Sequence, residues 1–169
     1  ATVETLSSYF ETVSAAVEQD GGIIDKFIGD AVMALFNAPT LLANHPSAAC
    51  RAALSARKNL LQATPGQPQL NVRFGLHTGE AIVGNTGTRE RFNYTAIGDA
   101  VNLASRLEGL NKFFGTRILA SEEVRTQAPE FSWRLLDRVK VAGRTGTVQV
   151  YELLDKEAAD IYAAAVCLY

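Results

Sequence analysis

Ile23-Ile24-Asp25-Lys26-Phe27-Ile28-Gly29-Asp30-Ala31-Val32-Met33-Ala34-Leu35-Phe36 is the stretch on which the reading of this chain turns. Two apolar runs, Ile23 to Ile28 and Ala31 to Phe36, are rich in β-branched and large side chains and flank the dipeptide Gly29-Asp30. Such runs read as strands, and a two-residue loop that opens on glycine is a hairpin signal. The pattern predicts two antiparallel strands with a carboxylate, Asp30, at their tip.

Working outward, Val3, Leu6, Phe10, Val13 and Val17 recur at three- and four-residue steps, with Glu4, Glu11 and Glu18 off that stripe. This predicts an amphipathic helix that Gly21-Gly22 ends. The pattern is already under way at Ala1, so an upstream segment is expected. Downstream, Asn37-Ala38-Pro39-Thr40 closes the second strand. Asn44-His45-Pro46 opens a second helix, with Asn44 as its cap and a small-residue stripe of Ala49, Ala52, Ala53, Ala56 and Leu60. Thr64-Pro65-Gly66-Gln67-Pro68 is linker-like but too short to divide domains.

Val72, Phe74 and Leu76 alternate with Arg73, Gly75 and His77, which predicts a strand. Thr78-Gly79-Glu80 reads as a turn and Ala81 to Gly84 as the returning strand of a second hairpin, with Asn85 to Asn93 a polar loop or arm. Tyr94 to Ile97 is short and extended. Gly98-Asp99 then opens a helix, with Asp99 as N-cap and Ala100, Leu103, Ala104, Leu107 and Leu110 on its buried stripe. Arg117 to Ala120 is a strand, and Ser121-Glu122-Glu123 starts a short helix. A third hairpin follows, from Trp133 to Val141 and from Thr147 to Leu154, and the residues from Asp155 to Tyr169 read as a helical tail. Helices alternating irregularly with hairpins predict an α/β fold whose mixed, mostly antiparallel sheet is covered by helices.

Composition narrows the function. The 169 residues suit one domain, and 18 acidic against 16 basic residues leave a net charge of −2. That balance argues against a nucleic-acid polymer as partner, which calls for a basic excess. No apolar run approaches the roughly 18 residues of a membrane span, and no signal-peptide pattern is present. Cys50 and Cys167 are the two cysteines, too few for a disulfide framework or a zinc site, which points to a reducing compartment.

Taken alone, the polar residues of interest have plain explanations. Asp30 reads as a turn aspartate, Lys26 as a strand-edge charge, and Asn102 and Arg106, four apart, as polar neighbours on one helix face. His77 lies in a strand without a triad-like nucleophile and reads as a packing or hydrogen-bonding residue. Asp99 reads as a helix cap rather than a metal ligand.

Together, however, Asp25 to Ala34, the run Gly75-Leu76-His77-Thr78-Gly79-Glu80 and the run Tyr94-Thr95-Ala96-Ile97-Gly98-Asp99-Ala100-Val101-Asn102-Leu103-Ala104-Ser105-Arg106-Leu107-Glu108 resemble, in order and spacing, three signatures of the class III nucleotide cyclases. The resemblance runs from about Ser7 to Leu154. It implies a catalytic domain over residues 1–154, with a C-terminal helical tail or linker over 155–169. The fold it implies is an α+β sandwich of the ferredoxin-like or palm-like kind.

The activity it implies is that of a bacterial-type adenylyl cyclase: the ribose 3′-OH of ATP attacks the α-phosphorus, expels pyrophosphate and leaves cyclic AMP. By the same resemblance Asp30 is a metal ligand for Mg²⁺ or Mn²⁺, two ions per complete site. Lys26 and Thr95 read the purine, Asn102 orients the ribose, Arg106 stabilises charge at the α-phosphate and Arg144 contacts the terminal phosphates. The chemistry is consistent: adenine offers an acceptor at N1 to the lysine and a donor at N6 to the hydroxyl. Related guanylyl cyclases carry an acidic residue and a cysteine there. Lysine with aspartate is the common adenylyl pairing, and threonine is the bacterial-type variation. The resemblance further implies active sites shared across a head-to-tail homodimer, with Asp30 from one chain and Lys26, Thr95, Asn102 and Arg106 from the other.

Family members carry a second metal-binding aspartate on a strand upstream, which the resemblance places before Ala1. The chain by itself is therefore expected to be inactive. A sensor or regulatory domain upstream in the parent protein is expected, as is a cytoplasmic location, compatible with a membrane-anchored parent. Two alternatives stay open: a guanylate cyclase, against which Lys26 speaks, and a cyclase-like regulatory or dimerisation domain without turnover, against which the retained site residues speak.

Overall fold

The computed structural model describes residues 3–62, 70–87, 92–140 and 146–166. In chain order its elements are α1 (Val3–Gln19), β1 (Ile23–Ile28), β2 (Ala31–Leu35), α2 (His45–Leu61), β3 (Phe74–Leu76), β4 (Ile82–Gly87), β5 (Phe92–Ile97), α3 (Asp99–Phe114), β6 (Ile118–Ser121), α4 (Glu122–Gln127), β7 (Ser132–Lys140), β8 (Thr147–Leu154) and α5 (Lys156–Val166). The fold is mixed α/β. The strand pair β3–β6 is parallel, and the other pairs among the described residues are antiparallel. No helix among the described residues is long and apolar enough to cross a membrane.

Two compact units make up the chain, Ala1–Val72 with Glu80–Val101 and Arg73–Gly79 with Asn102–Tyr169. In the first, α1 packs on α2. Val13, Ala16 and Val17 are buried on one helix and Ala48, Ala52, Ala53, Ala56 and Leu60 on the other, the small alanines allowing a close approach. Asn44 precedes α2 as expected, but its side chain makes no capping bond; its carbonyl accepts from the Ala48 amide at 2.9 Å instead.

The hairpin β1–β2 forms as its sequence predicts, with Ile28 opposite Ala31 and Gly29-Asp30 between them. Gly29 takes φ +65°, and Asp30 is not among the residues with positive φ. A left-handed residue at the first turn position only is the type II′ pattern, which needs glycine there.

The second predicted hairpin does not form. β3 pairs in parallel with β6, and β4 pairs instead with β5, from Ile82 opposite Ile97 to Gly87 opposite Phe92. The polar residues Asn85, Thr86 and Asn93, expected as loop, are strand. Their side chains are exposed, so the backbone ladder alone holds them extended, and polarity was a poor guide.

In the second unit the strand order is β3-β6-β8-β7. Leu103 and Leu107 of α3 form a buried cluster with Leu119, Val148 and Val150. Gly75 shows why β3 is so short of side-chain bulk: a Cβ there would clash with the Ala104 carbonyl oxygen and the Glu108 nitrogen. Only glycine lets the strand lie against the α3 backbone. Asn111, fully buried, clips the same contact, donating to the Phe74 carbonyl at 2.9 Å while its oxygen accepts from the Thr116 hydroxyl at 2.9 Å. Asp99, expected as a cap, is instead the first residue of α3, where a carboxylate complements the helix N-terminus. The predicted tail helix is α5, opened by Asp155, whose Oδ1 accepts from the Ala158 amide at 2.8 Å.

Candidate functional site

β1 is not a regular strand. Ile24 pairs with Ala34 and Lys26 with Met33, which leaves Asp25 without a partner in the ladder. This is a β-bulge, and bulges re-aim side chains. In a regular strand, neighbours point to opposite faces. Here two oxygens of one carboxylate serve two different residues: Asp25 Oδ1 lies 3.8 Å from the Lys26 ammonium, and Asp25 Oδ2 accepts from the Thr95 hydroxyl at 2.6 Å.

Burial grades this trio. The Asp25 side chain is 1% exposed while that of Lys26 is 38% exposed, and Thr95 on β5 is buried. Asp25 thus backs the pair from inside, and the lysine retains a wet face. Asp25 Oδ1 has no hydrogen-bond partner among the described residues, an expensive condition for a buried carboxylate oxygen. The sequence reading named Lys26 and Thr95 but missed Asp25. An aspartate between Ile24 and Phe27 in mid-strand is itself out of place by strand preference, and that was the available signal.

Asp30 stands exposed at the tip of the same hairpin. Among the described residues no group of three or more His, Cys, Asp or Glu side chains could form a metal cage. A cation that arrives on nucleotide phosphates needs only one or two protein carboxylates and keeps several waters. An exposed carboxylate at a hairpin tip, as Asp30 is, has chemistry suited to that demand.

Asn102 and Arg106 lie on α3, in the second unit. Asn102 is exposed and Arg106 half-buried, flanking the buried Leu103 and Leu107. The buried leucines fix the helix face, so both polar residues project from a rigid element. Asp25, Lys26, Asp30 and Thr95 all belong to the first unit. Arg144 lies outside the described residues.

His77 is a structural residue. Its Nδ1 lies 2.7 Å from the Ser121 hydroxyl and 3.8 Å from Glu123. The arrangement superficially resembles a triad, but the imidazole is 2% exposed and Ser121 is fully buried. No substrate reaches that hydroxyl.

Known proteins and solved structures resemble this chain over most of its length. Residues 1–155 match the family model described as the adenylate and guanylate cyclase catalytic domain. The chain is 43% identical over 158 residues to adenylate cyclase 1 of Rhizobium meliloti (strain 1021), covering 90% of this chain and 24% of that protein. It is 40% identical over 156 residues to an adenylate cyclase of Anabaena cylindrica, covering 88% and 31%. Among solved structures, the adenylyl cyclase CyaB from P. aeruginosa superposes with a TM-score of 0.80 at 32% identity, over 90% of this chain and 82% of that one. The chain thus matches 24% and 31% of the lengths of these two curated relatives.

Proposed function

Because the chain belongs to the adenylate and guanylate cyclase catalytic domain family, we propose that it carries the catalytic residues of an ATP-selective cyclase that forms cyclic AMP and pyrophosphate. The observation that carries the choice of ATP is the pairing of Lys26 and Thr95 at the two oxygens of Asp25. It offers a donor beside an acceptor, the complement of adenine N1 and N6. Guanine presents the reverse pattern at both positions.

In the reaction, the ribose 3′ oxygen forms a bond to the α-phosphorus, and the bond from that phosphorus to the bridging oxygen breaks. The 3′-OH proton is lost to solvent or to the phosphates, and pyrophosphate leaves. Asn102 holds the ribose so that the 3′ oxygen faces the phosphorus, a contribution of position alone. Arg106 meets the negative charge that builds on the α-phosphate oxygens, for which a planar, permanently charged guanidinium suits. Arg144 contacts the terminal phosphates. Asp30 would hold Mg²⁺ or Mn²⁺, which when bound would supply positive charge to offset the phosphates and favour ionisation of the attacking hydroxyl.

Two copies of the chain share each site head to tail, with Asp30 from one and Lys26, Thr95, Asn102 and Arg106 from its partner. Exposed Phe27, Ile28, Ile82 and Ile97 support a partner surface on the first unit, Ile82 and Ile97 being directly opposite across β4 and β5.

The test is product analysis with the full-length protein and Mg²⁺ or Mn²⁺, offered ATP and GTP in competition. Cyclic AMP and pyrophosphate in equal amounts, with GTP a poor substrate, is the expected result. Equal cyclisation of GTP removes the base assignment, and no cyclisation of either leaves a regulatory domain.

A further inference from the structure

We propose that Asp25 is the residue that sets the purine preference, by holding the Thr95 hydroxyl as a pure acceptor. The inference rests on the reading of Lys26 and Thr95 as the base-recognising pair. A hydroxyl has one proton, and a rotor free to turn can present either that proton or a lone pair. Such a residue cannot by itself discriminate an amino group from a carbonyl oxygen. In this protein the rotor is not free: the Thr95 Oγ1 lies 2.6 Å from Asp25 Oδ2, and a carboxylate accepts. The proton is committed inward, and lone pairs remain for the N6 amino group of adenine. A 6-oxo purine then meets acceptor against acceptor, and its N1–H meets the Lys26 ammonium, donor against donor.

Among the described residues Asp25 has no other evident task. It takes no place in the β1–β2 ladder, and its side chain is buried with Oδ1 lacking a hydrogen-bond partner among the described residues. A buried, incompletely satisfied carboxylate is a liability for stability unless its position serves something else. The bulge turns this side chain to face both Lys26 and Thr95.

Asparagine at this position makes a sharp prediction. Lys26 lies 3.8 Å from Oδ1, so the amide oxygen of Asp25→Asn turns toward the ammonium and the amide NH₂ toward Thr95. The Thr95 oxygen then accepts from residue 25, and its own proton is released toward the base. The hydroxyl changes from acceptor to donor, which favours a 6-oxo purine.

The experiment compares kcat/KM for ATP and for inosine triphosphate, whose base differs from adenine only in the groups at N1 and C6. It uses the full-length protein as wild type, Asp25→Asn, Thr95→Val and the double variant, with thermal unfolding recorded for each. The ratio between two substrates on one protein sample cancels any loss of folded enzyme. The expected result is an ATP-to-inosine-triphosphate ratio reduced about ten- to a hundredfold by Asp25→Asn, and no effect of that substitution once Thr95 is valine. If Asp25→Asn does not fold, Asp25→Ala serves: it frees the rotor without supplying a donor, and a partial fall in the ratio is expected. A wild-type ratio in Asp25→Asn or Asp25→Ala overturns the proposal while a reduced ratio in Thr95→Val keeps the base-recognising pair. No preference for ATP in the wild type overturns both.

Discussion

Alanine in place of Arg106 lowers kcat by about 10²–10³-fold, the scale on which a single preorganised donor to a developing oxyanion acts. KM for ATP is expected to change little, because in the proposed mechanism the guanidinium interacts most strongly when negative charge has built on the α-phosphate. Arg106 is half-buried on α3 between residues that anchor the helix, Leu103 and Leu107, so the truncation leaves the helix in place. Lysine at this position restores only part of the rate, since a point charge does not reproduce the planar fork. A rise in KM with an unchanged kcat contradicts a transition-state role and makes Arg106 a binding residue only.

The second large effect concerns base selection. Lys26→Glu combined with Thr95→Cys removes both proposed adenine contacts and supplies the residue types that the resemblance assigns to related guanylyl cyclases. ATP turnover falls, and the ratio of GTP to ATP use rises by about 10² or more, as expected when buried polar groups are mismatched with one substrate and matched with the other. The structure adds a qualification. Glutamate at position 26 comes close to Asp25, whose Oδ1 lies 3.8 Å from the native ammonium, and two carboxylates repel. Adding Asp25→Asn relieves that repulsion, so the triple variant uses GTP better than the double. Competitive turnover of mixed ATP and GTP reads both comparisons.

How much of this was visible in the sequence differs from element to element. The hairpin β1–β2 was legible because Gly29-Asp30 between two apolar runs has few other structures open to it, and the helices were legible through their periodicity. The strand from Phe74 to Leu76 was found, but its partner was not. Parallel pairing with β6 is a contact between residues distant in sequence, and Thr78-Gly79-Glu80 imitates a local turn. The polar face of β4 and β5 concealed a hairpin because side-chain polarity says little about a ladder made by the backbone. Lys26 and Thr95 could be singled out by resemblance, whereas Asp25 could not. Alternation places it on the face opposite Lys26, and the bulge that reverses this has no sequence signature.

The central claim, one ATP site assembled from two copies of the chain, is tested most directly by mixing two inactive variants of the full-length protein. Asp30→Ala lacks the proposed metal anchor and Arg106→Ala the proposed transition-state cation, so each alone is expected to make little cyclic AMP. In a mixed dimer one of the two sites receives Asp30 from one subunit and Arg106 from the other, and is whole. Random pairing of the two variants is expected to restore about a quarter of the wild-type rate, since half the C2-related dimers are mixed and each holds one intact site of two. Dimers verified as mixed that remain as inactive as the separate variants would contradict the shared site.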